Sequence, residues 1–103
     1  MKSKLQNHLE SGLSAITAEI MPPRGGDTAL ALSKALTLDN RIHGINVTDG
    51  SRAIMRMSSL ALCKLLLEAN LEPILQLSCR DRNRIALQAE LLGAHALGIK
   101  NIL

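Results

Sequence analysis

Short apolar runs typical of strands alternate along the chain with longer runs of helical periodicity. The strand-like runs cover residues 16–21, 44–48 and 73–78, and a fourth run begins at Asn101. Isoleucines recur in them at intervals of 29, 29 and 28 residues, at Ile16, Ile45, Ile74 and Ile102. A repeat of about 30 residues that carries one strand and one helix is the βα unit of a parallel sheet.

Helices are predicted between these runs because apolar residues recur there every three or four positions. They cover 28–38, 52–70 and a segment that ends at the left-handed residue Gly98, and a short helix over 3–11 leads the first strand. Their inner stripes are Leu32, Ala35 and Leu36, then Ile54, Met57, Ala61 and Leu65, then Ile85, Ala89, Leu92 and Ala96. The candidate caps are Asp27 for the first, Asp49 or Ser51 for the second, and Asp81 or Asn83 for the third.

The alternation of strand and helix predicts an α/β fold with parallel strands, either an open doubly wound sheet or a (βα)8 TIM barrel. A complete barrel needs about 250 residues, and about four βα units fit here. We therefore interpret residues 1–103 as one partial TIM-barrel domain, the first half of a barrel that stops in its fourth strand. Such a half exposes a sheet edge, so we expect a homo-oligomer or association with the missing barrel half.

Composition narrows the possible ligands and locations. The chain has no aromatic residue on which a base or a flavin ring can stack, and its net charge of +3 is too small to predict nucleic-acid binding. The three histidines lack metal-ligand spacing, so no metal site is expected. No apolar run predicts a membrane span or a signal peptide, and the two cysteines form no CxxC pair. These features predict a cytoplasmic protein with reduced thiols.

Glu19 lies in an apolar run, where a charge is costly unless it has a function or a partner. On a strand it shares one face with Thr17. If that face lines the barrel interior, partial removal from water favours the protonated carboxyl group, which suits a general acid. An ion pair with Arg24 or Arg52 is the structural alternative.

Polar residues gather after each predicted strand, in the segments 22–27, 48–52 and 78–84. Ligand-binding groups collect at the carboxyl ends of parallel strands, so these three loops predict one site. The second loop offers a hydroxyl, a carboxylate and a helix start, from Thr48, Asp49 and Ser51. A helix start can hold an anion, although helix capping explains Asp49 and Ser51 equally well. Gln76, inside an apolar strand, needs hydrogen-bond partners and can read a polar heterocycle.

Three arginines, Arg80, Arg82 and Arg84, crowd a predicted helix start, where the helix dipole disfavours cations. Either they bind an anionic ligand or they form a self-paired, solvated surface. Of the cysteines, Cys63 is expected in the core, and Cys79 lacks an obvious base that would activate it as a nucleophile.

Three segments taken in order resemble the N-terminal half of bacterial methylenetetrahydrofolate reductases. They are TAEIMPPRGGD, INVTDGSRAIMRMSS and PILQLSCRDRNRIALQAELLGAHALGIKNIL. The resemblance implies a TIM barrel that binds FAD at the carboxyl ends of its strands. It also implies hydride transfer from NAD(P)H through the flavin to 5,10-methylenetetrahydrofolate, giving 5-methyltetrahydrofolate for one-carbon metabolism and methionine biosynthesis.

The resemblance also assigns roles to individual residues. Glu19 occupies the place of the glutamate that acts as general acid when the folate ring opens. Thr48, Asp49 and Ser51 fall among the flavin contacts, although many members have an aromatic residue at the place of Asp49. Gln76 falls where many members have a flavin-contacting histidine.

The family's Gly-Asp motif and later binding residues would follow Leu103, so we expect this segment alone to be inactive. Two alternatives stay open. One is a non-catalytic half barrel or subunit that only associates with a partner chain. The other is a different barrel enzyme, similar to a pteroate synthase, that binds a pterin or phosphorylated ligand through residues 80–84.

Overall fold

In a computed structural model, which describes residues 1–103, four helices alternate with three parallel strands. The elements are α1 (Lys4–Glu10), β1 (Thr17–Ile20), α2 (Ala29–Thr37), β2 (Gly44–Val47), α3 (Ser59–Glu68), β3 (Pro73–Leu75) and α4 (Arg84–Ala96). β2 lies between β1 and β3 and pairs in parallel with both. The α/β fold predicted from the sequence is confirmed, and the βα order is consistent with part of a TIM barrel.

One face of the sheet packs against helices. Ile20, Val47 and Leu75 lie side by side in register on the three strands and are buried. Leu62 and Leu66 of α3 join the same buried cluster. Fully burying a leucine side chain contributes about 1.5–3 kcal/mol, so this apolar layer is the main source of stability.

Of the predicted fourth strand, only a single β-bridge is formed. Ile102 forms an isolated parallel bridge with Leu75. The Leu75 N–H donates to the Asn101 carbonyl at 2.9 Å, and the Leu103 N–H donates back to the Leu75 carbonyl at 2.8 Å. The chain therefore reaches the position predicted for a fourth strand, whereas β3 itself is shorter than the predicted run over 73–78.

The prediction of one helix over 52–70 is wrong at its start. Positive φ angles at Arg52 and Ala53 interrupt the helical path in a short 3-10 turn, and an irregular stretch follows. α3 begins only at Ser59, with Ser58 Oγ accepting the Ala61 N–H at 3.2 Å. Its buried residues are consequently Ser59, Leu62, Cys63 and Leu66, instead of the predicted stripe. Asp49 and Ser51 do not cap this helix.

The predicted inner stripe of α4 is also wrong, because Ile85 and Leu92 are 70% and 73% exposed. The one buried residue of this helix is the small Ala94. A Cβ placed on Gly93 would lie 3.9 Å from Leu60 of α3, and Ala94 is fully buried. The helix therefore turns a small residue toward the core, instead of the predicted large ones.

The ends of the helices follow local sequence signals more closely. Asn83, rather than Asp81, caps α4 by accepting the Ala86 N–H at 2.9 Å. Gly98 beyond its end has φ of 88°, as predicted. Asp27 accepts the Ala29 N–H at 2.9 Å at the start of α2. The predicted short leading helix is confirmed as α1.

In α2, the predicted stripe is right at two of its three positions. Ala35 is fully buried. Leu32 is partly buried against the same core, whereas Leu36 is exposed.

Replacement of Ser58 by alanine tests the position at which α3 begins. Loss of the Ser58 cap should lower the free energy of unfolding by about 1 kcal/mol, measured by urea denaturation. Ser51→Ala is the matched control, since Ser51 makes no capping hydrogen bond. Equal destabilisation by both substitutions would contradict the helix start described above.

Candidate functional site

The turn after β1 is held by the irregular stretch before α3. Nη1 of Arg56 donates to the Pro22 carbonyl at 3.1 Å, and the Met57 N–H donates to the Pro23 carbonyl at 2.8 Å. These two bonds draw residues 54–58 away from a helical path. They also place the second loop beside the first, at the carboxyl end of the sheet.

The loops after β2 and β3 are joined by a salt bridge between Asp49 and Arg82. Both terminal nitrogens of Arg82 donate to the carboxylate, with Nη2 at 3.4 Å from Oδ1. The same carboxylate accepts the Ser78 N–H at 2.7 Å, and Arg82 donates to the Ser78 carbonyl at 2.8 Å. The Arg82 and Asp49 side chains are only 18% and 14% exposed, and their hydrogen bond raises the pKa of Arg82. Asp49 therefore connects two loops.

Arg80 is also paired within the chain. Its Nε donates to the Asp81 carboxylate at 3.0 Å, and its Nη2 donates to the Gly50 carbonyl at 2.9 Å. The hydrogen bond from Arg80 lowers the pKa of Asp81. Two hypotheses were given for the three arginines, binding of an anionic ligand or pairing within the chain. The structure favours pairing within the chain for Arg80 and Arg82. Arg84 is exposed at the start of α4.

A row of polar side chains crosses the face of the sheet opposite the helices α2, α3 and α4. Asn46 donates through Nδ2 to Thr17 Oγ1 and accepts from Gln76 Nε2, with both distances at 3.3 Å. Glu19 pairs in register with Asn46 and lies on the same face as Thr17. β1, β2 and Gln76, which follows β3 directly, therefore present polar groups to one face of the sheet, called the open face below.

Glu19 is exposed, and it makes no hydrogen bond or ion pair through its side chain. The expectation that it is partly removed from water is therefore wrong for this chain. The predicted alternative, an ion pair with Arg24 or Arg52, is absent as well. β1 is an outer strand with a partner on one side only, and this position leaves the carboxylate open to solvent.

The other predicted site residues lie nearby but differ in environment. Asp49 and Gln76 line one cavity of about 220 Å³ with Leu103. Thr48 is 6% exposed, and its hydroxyl has no hydrogen-bond partner. Ser51 lies in the 3-10 turn and is partly exposed. The site thus brings Asp49 and Gln76 together, whereas Glu19 lines a separate cavity.

Two residues that form side-chain hydrogen bonds in this region, Asn46 and Arg56, were not predicted from the sequence. Asn46 is polar inside an apolar strand, which is the same signal that singled out Gln76. Arg56 sits in a stretch with helical spacing, and no local pattern shows that its partner is a carbonyl 34 positions earlier.

The cysteines behave as expected for their positions. Cys63 is fully buried in α3, and burial raises the pKa of its thiol to about 12, so it stays protonated at neutral pH. Cys79 is exposed and free. No helix of the chain has the length and apolar character that crossing a membrane requires.

The parallel sheet, its helical layer and the loops gathered at its carboxyl end define an α/β protein of partial TIM-barrel type. The family model described as methylenetetrahydrofolate reductase matches residues 4–103. The chain belongs to the methylenetetrahydrofolate reductase family, which confirms the resemblance seen in its sequence. No curated protein matches the chain.

Replacement of Asp49 by alanine tests whether the salt bridge with Arg82 holds the two loops. Loss of one member leaves a poorly solvated charge without its partner. We expect a loss of about 2 kcal/mol in the free energy of unfolding, between the values for exposed and fully buried pairs. Asp81→Ala is the control and should change the urea midpoint little, because its pair with Arg80 is exposed. A wild-type midpoint for Asp49→Ala would contradict the connection.

Proposed function

We propose that this chain contributes the general acid and part of the flavin site of a reductase. The reaction converts 5,10-methylenetetrahydrofolate to 5-methyltetrahydrofolate, with FAD as cofactor and NAD(P)H as electron donor. The observation that carries the proposal is family membership over residues 4–103. The polar groups on the open face and at the carboxyl end of the sheet support it.

Glu19 is the proposed acid. Its carboxyl group gives a proton to the ring nitrogen of the folate as the imidazolidine ring opens. The exposed, unpaired side chain supports this role, because a bound substrate can reach it without breaking an ion pair. A ligand that covers β1 would also remove the carboxyl group from water, which favours the protonated form needed by an acid.

The proposed flavin contacts are Thr48, Asp49, Ser51 and Gln76. When bound, FAD supplies the hydride-transfer chemistry. The buried Thr48 hydroxyl lacks a partner, as expected for a group that awaits a ligand atom. Gln76 can offer its amide to the polar edge of the ring, and Asp49 holds the neighbouring loop through Arg82. These groups fit a polar ring system.

Replacement of Glu19 by glutamine, in a polypeptide that carries the whole barrel, tests the assignment of the acid. Glutamine keeps the size of the side chain but cannot give up a proton in the same way. Folate reduction should fall by about 10²–10⁴-fold, while flavin reduction by the nicotinamide donor continues. Both half-reactions are followed by flavin absorbance in a stopped-flow instrument. Glu68→Gln on α3 is the control, and near-normal folate reduction by Glu19→Gln would remove Glu19 from the mechanism.

We further propose that the chain associates, with a second copy or with the remaining barrel half, and acts in the cytoplasm. β1 has a free outer edge, and Ile102 and Leu103 are exposed beside β3. Unpaired strand edges and exposed apolar side chains both favour association. The free thiols of Cys63 and Cys79 suit a reducing compartment.

Sedimentation velocity tests association of the 103-residue chain. At micromolar concentration we expect species larger than the 11.1 kDa monomer, with a weight-average mass that rises with concentration. The physical cause is burial of the free sheet edge. A single monomeric boundary over the whole concentration range would contradict self-association. Incubation with FAD in the same experiment shows whether flavin absorbance sediments with the chain, which would exclude a purely structural role.

A further inference from the structure

The helix α4 has a second apolar side, which faces solvent. Ile85, Ala89, Leu92 and Ala96 recur at spacings of four, three and four residues, so they lie on one side of the helix. All four are exposed, including the large side chains of Ile85 and Leu92. We call these four residues the outer stripe. A run of exposed apolar side chains along one side of a helix marks a surface that another molecule covers.

The outer stripe points away from the core of the chain. Residues two positions apart on an α-helix lie on nearly opposite sides, and the buried Ala94 is two positions from both Leu92 and Ala96. Leu87, which is partly buried, is likewise two positions from Ile85. In a ring of helices around a barrel, each helix meets its neighbours along its flanks. The outer stripe is therefore available to a second molecule even when further βα units continue the sheet.

The order of large and small residues makes the outer stripe complementary to a second copy of itself. When two copies of α4 pack in opposite directions around a two-fold axis, Ile85 meets the partner's Ala96, and Leu92 meets the partner's Ala89. Each large side chain then fills the space left by a small one, which allows close packing of two helices. Packing in the same direction and in register would instead set Leu92 against Leu92 and Ala89 against Ala89. The size pattern therefore favours the antiparallel arrangement.

The charge at the start of α4 favours the same arrangement. Arg84 is the first residue of the helix and is exposed, and none of the four ion pairs of the chain includes it. At this position the dipole of its own helix disfavours a cation. In an antiparallel pair, Arg84 lies beside the carboxyl end of the partner helix, where the dipole favours a cation. A second copy thus supplies the negative potential that the chain itself does not offer to Arg84.

We propose that the outer stripe is the contact surface of a homodimer in which two copies of the chain pack α4 against α4 in antiparallel orientation. A closed two-fold contact uses the same surface on both copies, and the size and charge patterns of α4 both meet that requirement. The contact is separate from the free edge of β1 and goes beyond the association proposed above. It is also remote from the chemistry of the reductase, so its failure would leave the proposed reaction unaffected.

Sedimentation velocity of the chain and two variants tests the interface. Leu92→Glu places a charge against the partner's Ala89 near the centre of the contact, so the dissociation constant of the dimer should rise by about tenfold or more. Leu91→Glu is the matched control, because Leu91 is also exposed but lies on a different side of the helix, and it should associate as the parent chain does. An unchanged dissociation constant in Leu92→Glu would show that another surface, such as the free edge of β1, carries the association, and would overturn the proposal. Equal weakening by both substitutions, or a parent chain that stays monomeric, would overturn it as well.

Disulfide cross-linking tests the antiparallel direction independently. All variants carry Cys79→Ser, which removes the exposed thiol and leaves only the buried Cys63. When Ile85→Cys and Ala96→Cys are mixed under mild oxidation, a covalent dimer of the two variants should form, because facing positions lie within disulfide distance. Each variant alone should stay uncross-linked, since the two-fold axis holds its two cysteines about 16 Å apart along the helix. Cross-linking of Ile85→Cys with itself would overturn the antiparallel direction, and no cross-link in the mixture would overturn the interface.

Discussion

The alternation of side chains along β2 is the constraint on which the rest of the molecule depends. Ile45 and Val47 are buried among the helices, so Asn46 between them must face the opposite side. Register then places Glu19 next to Asn46 on that same side. A slip of one residue would bring Asn46 under the helices and expose the two apolar neighbours. Burial of the core thus decides where polar groups stand on the open face, although those groups contribute nothing to the core.

Much of this arrangement could be predicted from the sequence because it follows from local signals. Apolar runs predict the three strands, and periodicity and capping residues predict α2 and α4. Parallel pairing then requires the loops after the strands to lie at one end. Gln76 is a polar residue in an apolar run, and this pattern agrees with its place on the open face of the sheet. Glu19 stood out in the same way, yet its exposure depends on β1 being an outer strand, which spacing alone does not reveal.

The features that could not be predicted are set by contacts between distant residues. The late start of α3 results from bonds that Arg56 and Met57 make with the turn after β1. The helix α4 buries Ala94 and leaves Ile85 and Leu92 exposed, whereas periodicity gave equal weight to the larger residues. Asp49 looked like a helix cap, but its carboxylate pairs with a side chain 33 positions further along the chain. In each case a tertiary contact overrides a reasonable local preference.

The connection between Asp49 and Arg82 has a consequence for how this scaffold could be altered. Loops on a barrel are often treated as interchangeable modules, each exchanged without regard to its neighbours. If the loop after β2 were replaced without a matching change in the loop after β3, the guanidinium group of Arg82 would lose its carboxylate partner. The Ser78 N–H would lose its acceptor as well. These two loops therefore form one unit of redesign, and libraries built on this chain should vary them jointly.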